Sequence, residues 1–228
     1  MLRAVVLLGV LFTCLVPGGF SHAGLVFDFA VAGTRQTAIE IAGPVQIQVY
    51  LRQTPGTTIL TDDGLLAAGI QVTFGSSGNI AAVKNSADIQ GNPLFDDAVF
   101  FLKSVTVTTA ILDQATDGTS LVRPELSDPN RILLGVFTFT GLALGTTTIG
   151  VTGLDSGDSI VSGSNSALDD LITPGSGTAT LTVTPEPGSV ALSLLVVGAA
   201  SVVTSYRARR QRKSQAANAG GSGAAASL

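Results

Sequence analysis

The chain has 228 residues, of which 45% are hydrophobic and 12% charged, and its formal net charge is −4. It has a single methionine, a single cysteine and a single histidine (Met1, Cys14 and His22) and no tryptophan. Beyond His22 the sequence therefore offers no thiol, no imidazole and no disulfide. These absences exclude Ser-His-Asp catalysis, Cys-His catalysis and a zinc site of the usual kind from that part of the chain.

The N-terminal segment has the pattern of a secretory leader. Arg3 precedes the apolar run Ala4 to Val16, Pro17 ends that run, and small residues lead up to Ala23. We predict a signal peptide over residues 1–23, with cleavage between Ala23 and Gly24. A permanent N-terminal anchor is the alternative, but the apolar run is short for a membrane span.

Residues 24–184 are predicted to form one extracytoplasmic domain. This segment carries fifteen carboxylates against six cations, which gives it a net charge of about −9. Such a surface repels phosphate backbones, so we expect no binding of nucleic acid.

The same segment is rich in alternating apolar and polar residues, which is typical of strands with one buried face. Turn residues such as Pro55-Gly56 and Asp117-Gly118 separate the alternating stretches. The sequence predicts an all-β fold, an antiparallel jelly-roll-like β-sandwich of seven to nine strands, without a long helix or an internal repeat. The strand candidates are Leu25–Ala32, Val45–Leu51, Leu66–Phe74, Val99–Leu112, Ile132–Thr140, Thr146–Thr152 and Thr178–Val183.

Two parts of this domain resemble cohesin-like modules. The first runs from Val45 through Pro55-Gly56 to Gly69–Phe74, and the second from Leu133–Phe139 through Gly141–Gly145 to Thr146–Val151. Cohesins are sandwiches of the carbohydrate-binding-module type that bind dockerin modules. The resemblance therefore implies a protein-docking module with a dockerin-like partner, which is the alternative function.

Carboxylates in Gly/Ser-rich loops are the candidate metal ligands. Asp155 and Asp158, with the later pair Asp169-Asp170, supply oxygen ligands that Ca²⁺ prefers, although exposed aspartates are also common in turns. The pairs Asp62-Asp63 and Asp96-Asp97 are more typical of solvated loop ends. A Ca²⁺-dependent structural module is therefore a second alternative.

Other activities lack the residues that they need. The segment has only Glu40 and Glu125 as glutamates and Tyr50 as its tyrosine, so a glycosidase or a sugar-stacking platform is disfavoured. The threonines 106, 108, 109, 138 and 140 do not repeat at one spacing, which disfavours ice binding. We predict a non-enzymatic protein without a cofactor.

The C-terminal quarter has three parts in a fixed order. Pro185, Glu186 and Pro187 come first, and a nearly uncharged run of about 19 residues from Gly188 to Tyr206 follows. At ~1.5 Å per residue this run is just long enough to cross a bilayer core of ~30 Å as a helix. A basic cluster then predicts a cytoplasmic end; its members are Arg207, Arg209, Arg210, Arg212 and Lys213.

This order resembles the PEP-CTERM sorting signal, also called the ice-binding-protein C-terminal domain, over residues 185–213. The resemblance implies export in a Gram-negative bacterium, anchoring in the inner membrane with the domain in the periplasm, and processing near Pro185–Pro187 by an exosortase. Residues 214–228 form a polar extension that we expect to be disordered. An ordinary single-pass anchor is the alternative to a sorting signal. The main functional prediction is an exported surface or extracellular-matrix protein, whose partners include the membrane and exopolysaccharide.

Overall fold

The computed structural model describes residues 24–75, 80–95, 100–154 and 158–185. Thirteen strands, one four-residue α-helix and two short 3₁₀ helices, Ser86–Asp88 and Asp169–Leu171, occur in these ranges. In chain order the strands and helix are β1 Leu25–Val31, β2 Thr34–Arg35, β3 Ala38–Ile41, β4 Val45–Gln53, α1 Ile59–Asp62, β5 Leu65–Phe74, β6 Ala81–Ala82, β7 Ile89–Gly91, β8 Phe100–Val105, β9 Thr109–Ala115, β10 Arg131–Gly141, β11 Gly145–Gly153, β12 Ile160–Ser162 and β13 Thr178–Val183.

The strands form two sheets that share one core. The first sheet has the order β2-β1-β4-β10-β6, with β7 also paired to β10. The second has the order β3-β13-β11-β5-β9-β8, with β12 also paired to β5. The predicted all-β, two-sheet architecture is confirmed for the described residues. One detail of the prediction is wrong, because β3 runs parallel to β13 and the second sheet is therefore mixed.

The core lies between the inner faces of the two sheets. Ile47, Val49 and Leu51 alternate with polar residues along β4 and are all buried, as the period of two requires. Phe74 of the second sheet meets Phe139 of the first edge to face, with ring centroids 5.6 Å apart. This arrangement is favourable for aromatic rings, and the pair lies in the core near the C-terminal ends of β5 and β10.

The predicted strand Val99–Leu112 is wrong as a single element. It is a hairpin of β8 and β9, in which Val105 pairs with Ala110. The side chain of Thr106 closes the turn, because its Oγ1 accepts hydrogen bonds from Thr108 N–H at 3.3 Å and Thr109 N–H at 3.0 Å. A threonine hydroxyl that bonds its own turn competes with continued strand pairing, and alternation alone does not reveal that competition.

A β-bulge in β10 is held by two buried amides, Asn92 from the same sheet and Gln114 from the opposite one. The register of β10 against β4 shifts between Leu133 and Gly135. Asn92 Nδ2 donates to Leu133 O at 2.7 Å, and Gln114 Nε2 of β9 donates to Leu134 O. Gln114 Oε1 also accepts from Asn92 N–H at 3.2 Å, so one side chain links the two sheets and satisfies the bulge.

Candidate functional site

The outer face of the second sheet is covered mainly by threonines. We call this surface the threonine face. Alternation along each strand turns these side chains away from the core, so they are exposed or half-buried. The threonine face consists of Gln71, Thr73, Thr109, Ile111, Thr146, Thr148, Gly150, Thr152, Thr178, Thr180 and Thr182.

Strand register brings these residues into rows across four strands. Thr178 of β13 lies opposite Gly150 of β11, which lies opposite Thr73 of β5, which lies opposite Thr109 of β9. A second row pairs Thr180 with Thr148, and a third pairs Thr182 with Thr146. The rows repeat every second residue, so hydroxyl-bearing side chains recur along the strands of one face. Sequence reasoning missed this array because its members are up to 111 positions apart in the chain.

Gly150 makes a depression in the middle of the threonine face. The depression has a volume of about 730 Å³ and is bordered by Thr73, Thr109, Thr148 and Thr178. Gly150 has no side chain to fill the floor, and a Cβ there would lie 3.2 Å from Thr73 Oγ1. The floor is therefore backbone, and Thr73 Oγ1 donates to its carbonyl oxygen at 3.4 Å.

The threonine face contains no charged side chain. The charges nearest to it on the outer side of this sheet lie at its margins, with Glu40 on the edge strand β3 and Asp113 near the other end of β9. The free-energy cost of removing a charged side chain from water is large, whereas the cost for a threonine hydroxyl is much smaller if the hydroxyl forms a new hydrogen bond. A surface of this kind can be covered by another molecule without burying an unpaired ion.

The outer face of the first sheet, by contrast, carries charged side chains, and its cations already have partners within the domain. Asp28 is buried and pairs with Arg35 at 2.9 Å and with Arg52 at 2.5 Å. The guanidinium of Arg131 lies 4.2 Å from the centroid of the Tyr50 ring. Burial of the phenol raises the pKa of Tyr50 above its usual value of 10.0. Because these side chains are held by one another, we assign them a structural role and not a binding role.

The predicted calcium ligands lie partly outside the described residues. Asp158 is exposed in a turn, and Asp155 lies outside the described residues. Asp169 is engaged, since its Oδ2 accepts from Ile160 N–H at 3.0 Å. Within the described ranges no three carboxylate, histidine or cysteine side chains are grouped to hold a metal ion. The calcium site stays a prediction, and a thermal midpoint that rises with Ca²⁺ and falls with chelator would support it.

The processing residues fall at the boundaries of the described chain. Gly24 is buried beside Thr54, whose Oγ1 accepts from Gly24 N–H at 2.9 Å, and Ala23 lies outside the described residues. Pro185 is exposed after β13, while Glu186, Pro187 and the basic cluster also lie outside them. No helix in the part of the chain that the structure describes is long and apolar enough to cross a membrane. Both cleavage sites and the span therefore stay predictions.

Comparisons with known proteins identify similar folds but no family. No family model matches the chain, and no curated protein matches it either. A cohesin from a type I cohesin–dockerin complex of Clostridium thermocellum is 8% identical, with a TM-score of 0.46 over 70% of this chain and 99% of that one. A cohesin module from a family 33 glycoside hydrolase of Clostridium perfringens is 12% identical, with a TM-score of 0.45 over 72% and 99%. A type II cohesin of Acetivibrio cellulolyticus is 8% identical, with a TM-score of 0.46 over 69% and 95%. At these values no inference about function rests on the likeness.

Proposed function

We propose that this chain is a non-catalytic protein-docking module that is exported and held at a membrane by its C-terminal segment. The observation that carries the docking function is the threonine face, which is broad, uncharged and uncovered within the described residues. The docking partner is a protein that the module binds by surface contact and does not alter chemically.

The size of the outer surface suits such a contact. Four strands about 4.8 Å apart and about six residues long give the threonine face a projected area of roughly 400 Å². A standard protein interface buries about 800 Å² of accessible surface on each partner, so the threonine face supplies a central part of one side and its margins supply the rest. Threonine and glycine also have little rotamer freedom to lose, which keeps the entropic cost of ordering the surface small.

The location of the module is proposed from the two ends of the sequence. The leader over residues 1–23 supports export, and the segment Pro185 to Lys213 supports anchoring and sorting of the PEP-CTERM kind. On this proposal an exosortase-type enzyme releases the domain to the cell surface. Intact-mass spectrometry of membrane and extracellular fractions tests it, with an N-terminus at Gly24 and a C-terminus between Pro185 and Gly188 as the expected result. A chain that retains Leu228 and stays in the membrane would instead support an ordinary single-pass anchor that is not cleaved.

Site-specific photocrosslinking in the host tests the docking function. A photoreactive amino acid replaces Thr148 on the threonine face, and in a matched control it replaces Gln46, which is exposed on the other sheet. The expected result is one crosslinked protein at Thr148 and none at Gln46. The captured protein is then purified and titrated against the wild-type chain and against Thr148→Lys, which should weaken saturable binding at least tenfold.

The main alternative is a component of an extracellular matrix. On that alternative the domain co-fractionates with exopolysaccharide, and neither crosslinking position captures a protein. Equal capture at Thr148 and Gln46, or unchanged affinity of Thr148→Lys, would remove the threonine face as the docking surface.

A further inference from the structure

The chain leaves the domain at a defined end of the sandwich. Strand β13 ends at Val183, beside Ile41 of β3 and Gly145 of β11. Thr184 N–H donates to Ile41 O at 3.0 Å, so the backbone is held up to one residue before Pro185. We call this the exit end, and it includes the loops 42–44, 106–108, 141–145 and 184–185.

The exit end is apolar at its tip. Leu142 and Leu144 are 50% and 66% exposed in the loop between β10 and β11, and Val107 is 83% exposed in the turn between β8 and β9. The loop is fixed in place, because the N–H groups of Leu142 and Ala143 both donate to Ile80 O, at 2.8 and 3.3 Å. The exposed leucines are therefore displayed by an ordered loop that connects the two sheets.

The charged residues of the described loops lie mainly at the other end of the sandwich. The described loop residues of the exit end carry no charged side chain, although Glu40, Lys103 and Glu186 lie within three residues of them along the chain. The opposite end holds most of the acids of the described loops: Asp62, Asp63, Asp117, Glu125, Asp128, Asp158, Asp169 and Asp170. The domain therefore has one uncharged end and one acidic end, and exposed leucines occur at both, with Leu142 and Leu144 at the uncharged end and Leu126 and Leu171 at the acidic end.

The predicted membrane segment begins very close to the exit end. Only four residue steps separate Thr184 from Gly188, and an extended chain covers at most about 14 Å in four steps. The polar headgroup layer is itself roughly 5–7 Å thick on each side of the hydrocarbon core. If residues 188–206 cross the membrane, the exit end must lie at or next to the headgroups.

We propose that the loop 141–145 inserts Leu142 and Leu144 into the headgroup region of the membrane in which the tail is anchored. This inference rests on the proposed membrane anchor and names a lipid surface as the occupant of the exit end. The acidic end then points away from the lipid, and the strands stand across the membrane plane. Both sheet faces, including the threonine face, remain open to partners.

Lipid-dependent fluorescence quenching of the full chain tests the proposal. The background carries Cys14→Ser, so that an introduced cysteine is the only one. An environment-sensitive fluorophore is attached at Leu144→Cys, or at Leu142→Cys as a second position. The matched control is Leu126→Cys, since Leu126 is fully exposed in the loop before β10, at the acidic end. The chain is reconstituted into vesicles of phosphatidylethanolamine and phosphatidylglycerol that contain a nitroxide-labelled lipid.

The expected result is loss of most of the emission at positions 142 and 144 and no loss at position 126, in vesicles that carry the chain on flotation. Flotation without quenching at 142 and 144, or with equal quenching at 126, would overturn the insertion and leave the anchor intact. A chain that fails to float with the vesicles would overturn the anchor and the insertion together. Circular dichroism of each variant checks that the sandwich is folded.

Discussion

Gln114 is the buried polar side chain whose removal should most clearly expose how the two sheets are joined. It is fully buried, accepts a hydrogen bond from Asn92 N–H and donates one to Leu134 O in the bulge of β10. Substitution by leucine keeps the approximate volume and removes both hydrogen bonds. Asn92 N–H and Leu134 C=O then stay buried without these partners.

The expected destabilisation follows from these two groups. A buried backbone group that loses its partner costs about 1–3 kcal/mol, so two such groups cost about 2–6 kcal/mol. The leucine side chain recovers roughly 1–2 kcal/mol through apolar burial. Taking the middle of both ranges, Gln114→Leu should lower the free energy of unfolding by about 2.5 kcal/mol.

Urea denaturation followed by far-ultraviolet circular dichroism measures this change. With a urea m-value of about 1–3 kcal/mol/M, the midpoint should fall by roughly 1–3 M. Gln46→Leu is the matched control, because Gln46 is exposed on β4 and a surface change of this kind stays within about 0.5 kcal/mol. If the two variants unfold at the same urea concentration, the hydrogen bonds of Gln114 do not contribute measurably to the stability of the domain.

Three further predictions concern other parts of the sandwich. Gly177→Ala should lower the free energy of unfolding, measured by chemical denaturation, by about 2–5 kcal/mol, because φ at Gly177 is +70° and a Cβ there would lie 2.4 Å from Val151 Cγ1. Gly33→Ala is the matched control: φ at Gly33 is +80° but the space around it is open, so the loss should be only about 1–2 kcal/mol. Equal losses for the two variants would contradict this prediction. The raised pKa of Tyr50 means that the unfolded chain loses its phenolic proton first, so stability should fall as the pH rises above about 10, and Tyr50→Phe should flatten that fall. Asp28→Asn leaves Arg35 and Arg52 without their carboxylate partner and should lower the free energy of unfolding by about 1–3 kcal/mol. This value is smaller than for a fully buried pair, because both guanidinium groups are partly exposed to solvent. A thermal midpoint equal to that of the wild type would argue against a contribution from these pairs.

The main strands could be predicted because alternation is a local property. Val45–Leu51 was predicted from its period of two, and β4 extends the same pattern to Gln53. The shortest strands were not predictable, since β2 and β6 have two residues each and no period can be read from them. The hairpin turn at Thr106 was hidden for a related reason, because a side chain that bonds its own backbone changes no apolar pattern.

The candidate site shows where sequence reasoning stops. Threonines of β11 and β13 were placed on strands from the sequence, and Thr178, Thr180 and Thr182 were placed on a polar face. That Thr73 and Thr109 join the same surface depends on the register of β5 against β9 and β11. The threonines 138 and 140 lie instead on β10 in the other sheet.

The sequence by itself determined the strand-rich class of the domain, its acidic charge, the absence of thiol and imidazole chemistry beyond His22 and the predicted leader and tail. These properties depend on residue identities or on neighbours a few positions apart. The tertiary structure alone decided which threonines share a face, which amides hold the bulge and which loops surround Pro185. Those arrangements depend on hydrogen-bond register and core packing between distant segments, and a shift of one residue in register would turn the same side chains to the opposite face.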